Sequence, residues 1–205
     1  MEIENLVRVN TRQAFREWLE EYSTTEKFCW IIVSMTPQPE VLLYLDAVEE
    51  ALCFGWIDGT KKKLSDTEVV QRFSPRSKKS NWTELNKERV RRLIKLGLMK
   101  EEGLRILPDM QPESFAIDKE IEARLKEDEQ VYQNFLNFPE LYRRIRIDTI
   151  QSYRNDPDLF NKRLEKFIQN TKANKMYGLW NDNGRLVDYE RKINPLLNPK
   201  RFLNP

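Results

Sequence analysis

The chain has 205 residues, 40% hydrophobic and 33% charged, which is enough apolar material for a core. No low-complexity tract marks it as disordered throughout. Histidine is absent, which excludes Ser-His-Asp and Cys-His catalysis and His-ligated zinc, and two cysteines cannot build a four-cysteine zinc site. Any catalysis would have to use carboxylates, Lys, Tyr, Cys or a carboxylate-held metal.

The longest uninterrupted apolar run, Phe28 to Val33, is far short of the ~20 residues that span a bilayer. The N-terminus offers no signal-peptide stretch. A cytoplasmic location is expected, with Cys29 and Cys53 as small core thiols rather than a disulfide. Charge is arranged in blocks. Residues 1–60 carry 4 basic and 11 acidic groups, 61–100 carry 13 and 4, 101–140 carry 4 and 11, and 141–205 carry 14 and 7. Such blocks either pair with one another inside the fold or leave a basic surface open to an anionic partner.

In chain order, Ala14, Phe15, Trp18, Leu19 and Tyr22 recur at helical spacing after Asn10 or Thr11, predicting a capped helix over 11–22. Lys27–Val33 is short and β-branched, hence a buried strand. Pro37 and Pro39 are read as opening a second helix, with Val41, Tyr44, Leu45, Val48 and Leu52 on one face and Gly55 at its end. Trp56–Gly59 and Glu68–Phe73 read as strands joined by a lysine-rich turn. The next helix has Asn81 and Glu84 as a capping box and Gly97 in the left-handed position after its last turn. Helices are expected around 101–107, 118–127, 129–153 and 157–174, with Asp156-Pro157 between the last two. The class is therefore α+β, helix-rich. About three strands form a small antiparallel or mixed sheet in the N-terminal half, and the C-terminal half is helical. One domain is expected over 1–175, its helical part at 118–175. Residues 176–205 form an extension with a hairpin turn at Asn183-Gly184 and a tail containing Pro195, Pro199 and Pro205.

The segment that stands apart is Arg72-Phe73-Ser74-Pro75-Arg76-Ser77-Lys78-Lys79-Ser80-Asn81-Trp82. It sets four cations and two aromatics between a strand and a helix N-terminus, where backbone N–H groups favour an anion. Arg72 and Arg76 suit bidentate contact with phosphate or carboxylate, Lys78 and Lys79 act as point charges, Asn81 hydrogen-bonds and Trp82 offers a stacking face. The competing reading is a solvated basic loop anchored by Phe73 and Trp82. Lys87, Arg91 and Lys95 continue the positive strip along the helix. Asp46, Glu49 and Glu50 share part of a helix surface and read as its wet side, the alternative being metal or acid–base chemistry. Asp58 either caps backbone N–H groups or pairs with Arg72 or Arg76. Glu20-Glu21 and Arg143-Arg144-Arg146 read as surface charge or salt bridges, and Phe160, Leu164, Phe167 and Ile168 as core. No phosphate loop, Rossmann fingerprint or nucleophile elbow is present.

Tyr44–Leu52, Phe54-Gly55-Trp56-Ile57-Asp58-Gly59, Arg72–Arg76, Ser80-Asn81-Trp82 and Asn86 together resemble the YdeI/OmpD-associated, or bacteriocin-protection, family. Arg89-Val90, Leu93-Ile94, Gly97, Met99 and Gly103 continue the likeness, which is placed on residues 28–105. It is expected to fade beyond, where Ile147–Arg154 departs from the family's Trp-Ile…Ala-Lys pattern. The resemblance implies a bacterial protein of envelope stress and antimicrobial-peptide tolerance, with no reaction, cofactor or catalytic residue to carry over. The leading expectation is thus a non-enzymatic binding protein with no cofactor, whose basic loop takes an anionic small molecule or acidic protein. The alternatives are nucleic-acid binding and an enzyme using Asp58 on a phosphorylated or carboxylated substrate.

Overall fold

A computed structural model describes residues 3–187. The chain forms two compact units, the first from residues up to 81 together with 89–108, the second from 82–88 together with residues from 109 onward. The fold is α+β, with a five-stranded sheet in the N-terminal half and a helical C-terminal half.

The first unit begins with β1 (Leu6–Val7) and α1 (Arg12–Tyr22), continues through β2 (Cys29–Ser34), β3 (Leu42–Leu43) and α2 (Tyr44–Cys53), and then forms the hairpin of β4 (Trp56–Lys63) and β5 (Val69–Pro75). The sheet runs β1-β2-β5-β4, with β1 and β3 parallel to β2 and the β2, β5 and β4 neighbours antiparallel. Two strands beyond the expected three, β1 and β3, are each two residues long and give the sequence no alternation to read. The prolines at 37 and 39 lie in the turn before β3 instead of opening α2, which starts only at Tyr44. Lys61, Lys62 and Lys63 belong to β4 and not to a turn, which begins after them. Positive side chains on such an edge strand discourage further strand pairing.

Thr11 caps α1, its hydroxyl accepting the Ala14 N–H at 3.1 Å. The apolar stripe of α1 then meets the sheet. Phe15 lies 5.5 Å from the Phe73 ring of β5, and Trp18 meets the edge of Trp56 at 5.8 Å. Trp56 also donates its indole N–H to the Ser23 carbonyl at 3.0 Å, tying β4 to the end of α1. Partway along β4 the register slips between Asp58 and Lys61, and the Gln71 amide donates to the bulged Gly59 carbonyl at 2.7 Å. Cys29 and Cys53 are buried free thiols, and burial pushes both up to about 12.

Helix α3 (Glu84–Lys95) is capped by Thr83, whose hydroxyl accepts the Asn86 N–H at 3.2 Å, and not by Asn81. The Asn81 carbonyl is instead taken by Arg76. At the other end Gly97 adopts φ +69°, and the Leu98 N–H returns to the Leu93 carbonyl at 3.0 Å, the expected left-handed stop. A short helix, α4 (Glu101–Leu104), follows.

The second unit holds α5 (Lys119–Lys126), α6 (Glu129–Asn137), α7 (Glu140–Gln151) and α8 (Pro157–Lys172). The single helix expected over 129–153 is two helices. Pro139 has no N–H to continue the ladder and drives Phe138 into an extended conformation. Asp156 caps α8 by accepting the Leu159 N–H, with Pro157 at the first helical position. The core collects Ile121, Leu125, Phe135, Tyr142, Phe160, Leu164 and Phe167, so the stripe expected on α8 is core apart from the half-buried Ile168. Asn183-Gly184 forms successive left-handed turns, with no strand after Pro75 among the described residues. The proline-containing tail lies outside the described residues.

Candidate functional site

Strand alternation divides the basic segment before any ligand is considered. Phe73 of β5 points to the helix-covered face, and its cross-strand partner Asp58 shares that face. Arg72 therefore points the other way. Its guanidinium sits 4.6 Å from the Phe28 ring centroid and donates to the Ser74 hydroxyl at 3.2 Å. On the same face, the Lys62 ammonium lies 4.9 Å from the centre of Trp30.

Asp58 and Arg76 are brought together. The Asp58 carboxylate accepts the Tyr44 hydroxyl at 2.6 Å, and its charge acts on Arg76. Arg76 is only 6% exposed. Its backbone N–H donates to the Gly55 carbonyl at 2.8 Å, and its Nη1 donates to the Asn81 carbonyl at the same distance. Burial lowers Arg76 to about 10, against the opposing pull of Asp58, so it stays cationic at neutral pH. Of the two arginines offered to Asp58 by the sequence, Arg72 occupies the opposite sheet face and Arg76 feels the Asp58 charge, while the hydrogen bond to Asp58 comes from Tyr44.

Beyond Arg76 the chain makes a tight turn. The Ser80 N–H donates to the Ser77 carbonyl at 2.9 Å, and the Lys79 N–H to the Ser77 hydroxyl at 3.2 Å. Lys78, Lys79 and the Asn81 side chain are exposed. The segment is thus a fixed base at Arg76 with two lysines on its outer turn. Trp82 belongs to the second unit and the other six to the first. Lys87 is paired with Glu84 at 3.0 Å.

Glu49 and Glu50 overturn the wet-face reading of α2. They are 0% and 1% exposed. Glu49 accepts from Arg12 at 2.7 Å and from Arg92 at 2.8 Å, and Glu50 accepts from Arg12 and, at 2.7 Å, from Arg16. Arg12 and Arg16 stand one turn apart on α1, so a single stripe of cations meets the carboxylates of α2. Burial disfavours the Arg12 charge, but Glu50 and Glu49 more than offset it and raise its pKa. A similar balance, burial against Glu50, raises Arg16. The sequence signal that could have exposed this network is the 12, 16 spacing of arginines on the helix before adjacent glutamates. Among the described residues no group of three or more His, Cys, Asp or Glu side chains is assembled that could hold a metal ion.

Arg144 likewise is no solvated surface charge: it is buried against Glu84, Glu88 and Glu140, the salt-bridge alternative of the sequence reading. Among the described residues no helix is long and apolar enough to cross a membrane.

Two family models match the chain. Residues 114–174 match the family described as Bacteriocin-protection, YdeI or OmpD-Associated, and residues 7–106 match a domain of unknown function (DUF8412). The expected family is thus matched over residues 114–174, on the helical second half, where the likeness was expected to fade. The motifs of 28–105 lie within the other model. No curated protein and no solved structure matches the chain.

Proposed function

We propose that this is a stress-tolerance protein that acts by binding, a reading supported by the match of residues 114–174 to the family described as Bacteriocin-protection, YdeI or OmpD-Associated. On this reading the loop between β5 and α3 recognises an anionic ligand or an acidic protein surface. Lys78 and Lys79 supply the charge, the Asn81 amide adds hydrogen bonds, and Asp58 and Arg76 hold the loop in place. The observation that carries the reading is the pairing of a buried, pinned Arg76 with exposed lysines two and three residues on. A loop whose base is already ordered loses less entropy on binding than a floppy one.

Fluorescence anisotropy with labelled poly-glutamate at low and physiological salt tests this. The Lys78→Glu/Lys79→Glu variant is expected to bind roughly tenfold more weakly, with an unchanged melting temperature. Equal affinity in the variant would remove the loop from the binding surface. Tighter, steeply salt-dependent binding of duplex DNA than of poly-glutamate would shift the reading to nucleic acid.

A further inference from the structure

The second unit contains a cleft of about 400 Å³ between α7, α8 and the segment after α8. Helical spacing builds it. Arg146 and Thr149 stand three apart on α7, and Lys162, Arg163 and Lys166 fall on one stripe of α8, so both helices turn cations toward the same space. These are positions at which packed helices usually present apolar side chains to each other. Tyr177 closes the far side.

Charge in this cleft is unbalanced. None of its lining residues is acidic, and among the described residues none of its four cations is ion-paired. Neighbouring cations are neutralised: Arg144 by three glutamates, Arg154 by Asp118 and Glu120, and Lys172 by Asp128. In the cleft, the Arg146 guanidinium and the Lys166 ammonium each lie 5.2 Å from the centre of the same Tyr177 ring. Arg163 stacks on Tyr153 at 4.1 Å. Rings hold these cations in place but do not cancel their charge. The Nε atoms of Arg146 and Arg163 are buried with no hydrogen-bond partner among the described residues. Both are donors open to an acceptor that enters the cleft.

The backbone is shaped to the same end. Gly178 has φ +79°, and a Cβ there would fall 2.7 Å from Nη1 of Arg146. A glycine lets the chain pass directly over that guanidinium. Burial raises the Tyr177 phenol, against the pull of Arg146 and Arg163, which keeps its O–H available as a donor.

We propose that this cleft binds a small soluble anion carrying two or more phosphate groups. Arg146 and Arg163 supply forked donors, Lys162 and Lys166 supply point charges, and the Thr149 and Tyr177 hydroxyls add neutral hydrogen bonds. Four uncompensated cations exceed what one phosphate neutralises. The volume, with Ile150 and Leu159 in the lining, leaves room for an organic portion such as a nucleoside. The site shares no residue with the β5–α3 loop and does not rest on the reading of that loop.

Isothermal titration calorimetry of the full chain with inorganic pyrophosphate, ADP and orthophosphate tests the proposal. Pyrophosphate and ADP are expected to occupy one site, roughly tenfold or more tighter than orthophosphate. Lys162→Ala/Lys166→Ala replaces two exposed side chains, so the fold should survive, as a melting curve will show. Its pyrophosphate affinity should drop roughly tenfold. Gly178→Ala keeps every charge yet displaces Arg146, and should also weaken binding. Absence of pyrophosphate binding at low salt would overturn the proposal, as would orthophosphate binding equally well. So would wild-type affinity in either folded variant. Affinity lost in Lys78→Glu/Lys79→Glu but kept in Lys162→Ala/Lys166→Ala would move the site to the loop and overturn it equally.

Discussion

Replacing Glu49 by alanine is expected to lower the unfolding free energy by about 3–5 kcal/mol, the usual consequence of leaving buried cations without their counter-charge. Glu49 is fully buried and accepts from both Arg12 and Arg92. Its removal leaves Arg92 deprived of that carboxylate and Arg12 with Glu50 and the more distant Asp46 at 3.6 Å. Neither arginine can simply discharge, because guanidinium stays protonated. Urea denaturation followed by tryptophan fluorescence measures the loss. Adding Arg92→Leu to Glu49→Leu should be milder than the sum of the single changes, since one uncompensated charge disappears with its partner. A loss below about 1 kcal/mol for Glu49→Ala would mean that water reaches the network and screens it.

Trp56→Ala should be comparably severe, at about 3–5 kcal/mol, but for a different reason. Trp56 is 1% exposed, fills the space between β4 and α1, meets Trp18 edge-on and donates to the Ser23 carbonyl. Truncation leaves a large cavity and strands that carbonyl. Trp56→Phe separates the contributions, because it keeps most of the volume and removes the donor, and about 1–2 kcal/mol is expected from it. If Trp56→Phe were as damaging as Trp56→Ala, the hydrogen bond rather than the packing would be holding the end of α1 to the sheet.

Both predictions concern residues whose importance the sequence conveyed unequally. Trp56 was readable as part of a strand, since an aromatic beside a β-branched residue follows a helix-ending glycine. Glu49 was not. A glutamate on an amphipathic helix normally faces water, and only the approach of α1 and α3 places Arg12, Arg16 and Arg92 around it.

The same division runs through the candidate site. Local chemistry in the sequence was enough to single out the segment from Arg72 to Trp82, because clustered cations beside a helix start are visible without coordinates. It could not say that Arg72 and Arg76 would separate. That outcome depends on where β5 ends: Arg72 lies within the strand, whereas Arg76 follows its last residue, Pro75, and is held by the Gly55 and Asn81 carbonyls. The cleft in the second unit was still less legible. Arg146 looked like one of a run of surface or salt-bridged arginines, and nothing in the sequence set Lys162, Arg163 and Lys166 apart.

By itself the sequence determined the α+β class, a helix start at Asn10 or Thr11, a break at Asp156-Pro157, the helix stop at Gly97, the buried thiols and the absence of histidine chemistry. Each of these follows from residue type and short-range spacing, which act over one or two turns of chain. Tertiary structure alone decided which charges are neutralised. Arg144 and Arg146 are two residues apart on one helix, yet the first is enclosed by three glutamates and the second faces a cleft without a carboxylate. A charge's partner is set by distance in space, and distance between segments far apart in the chain exists only once the chain has folded.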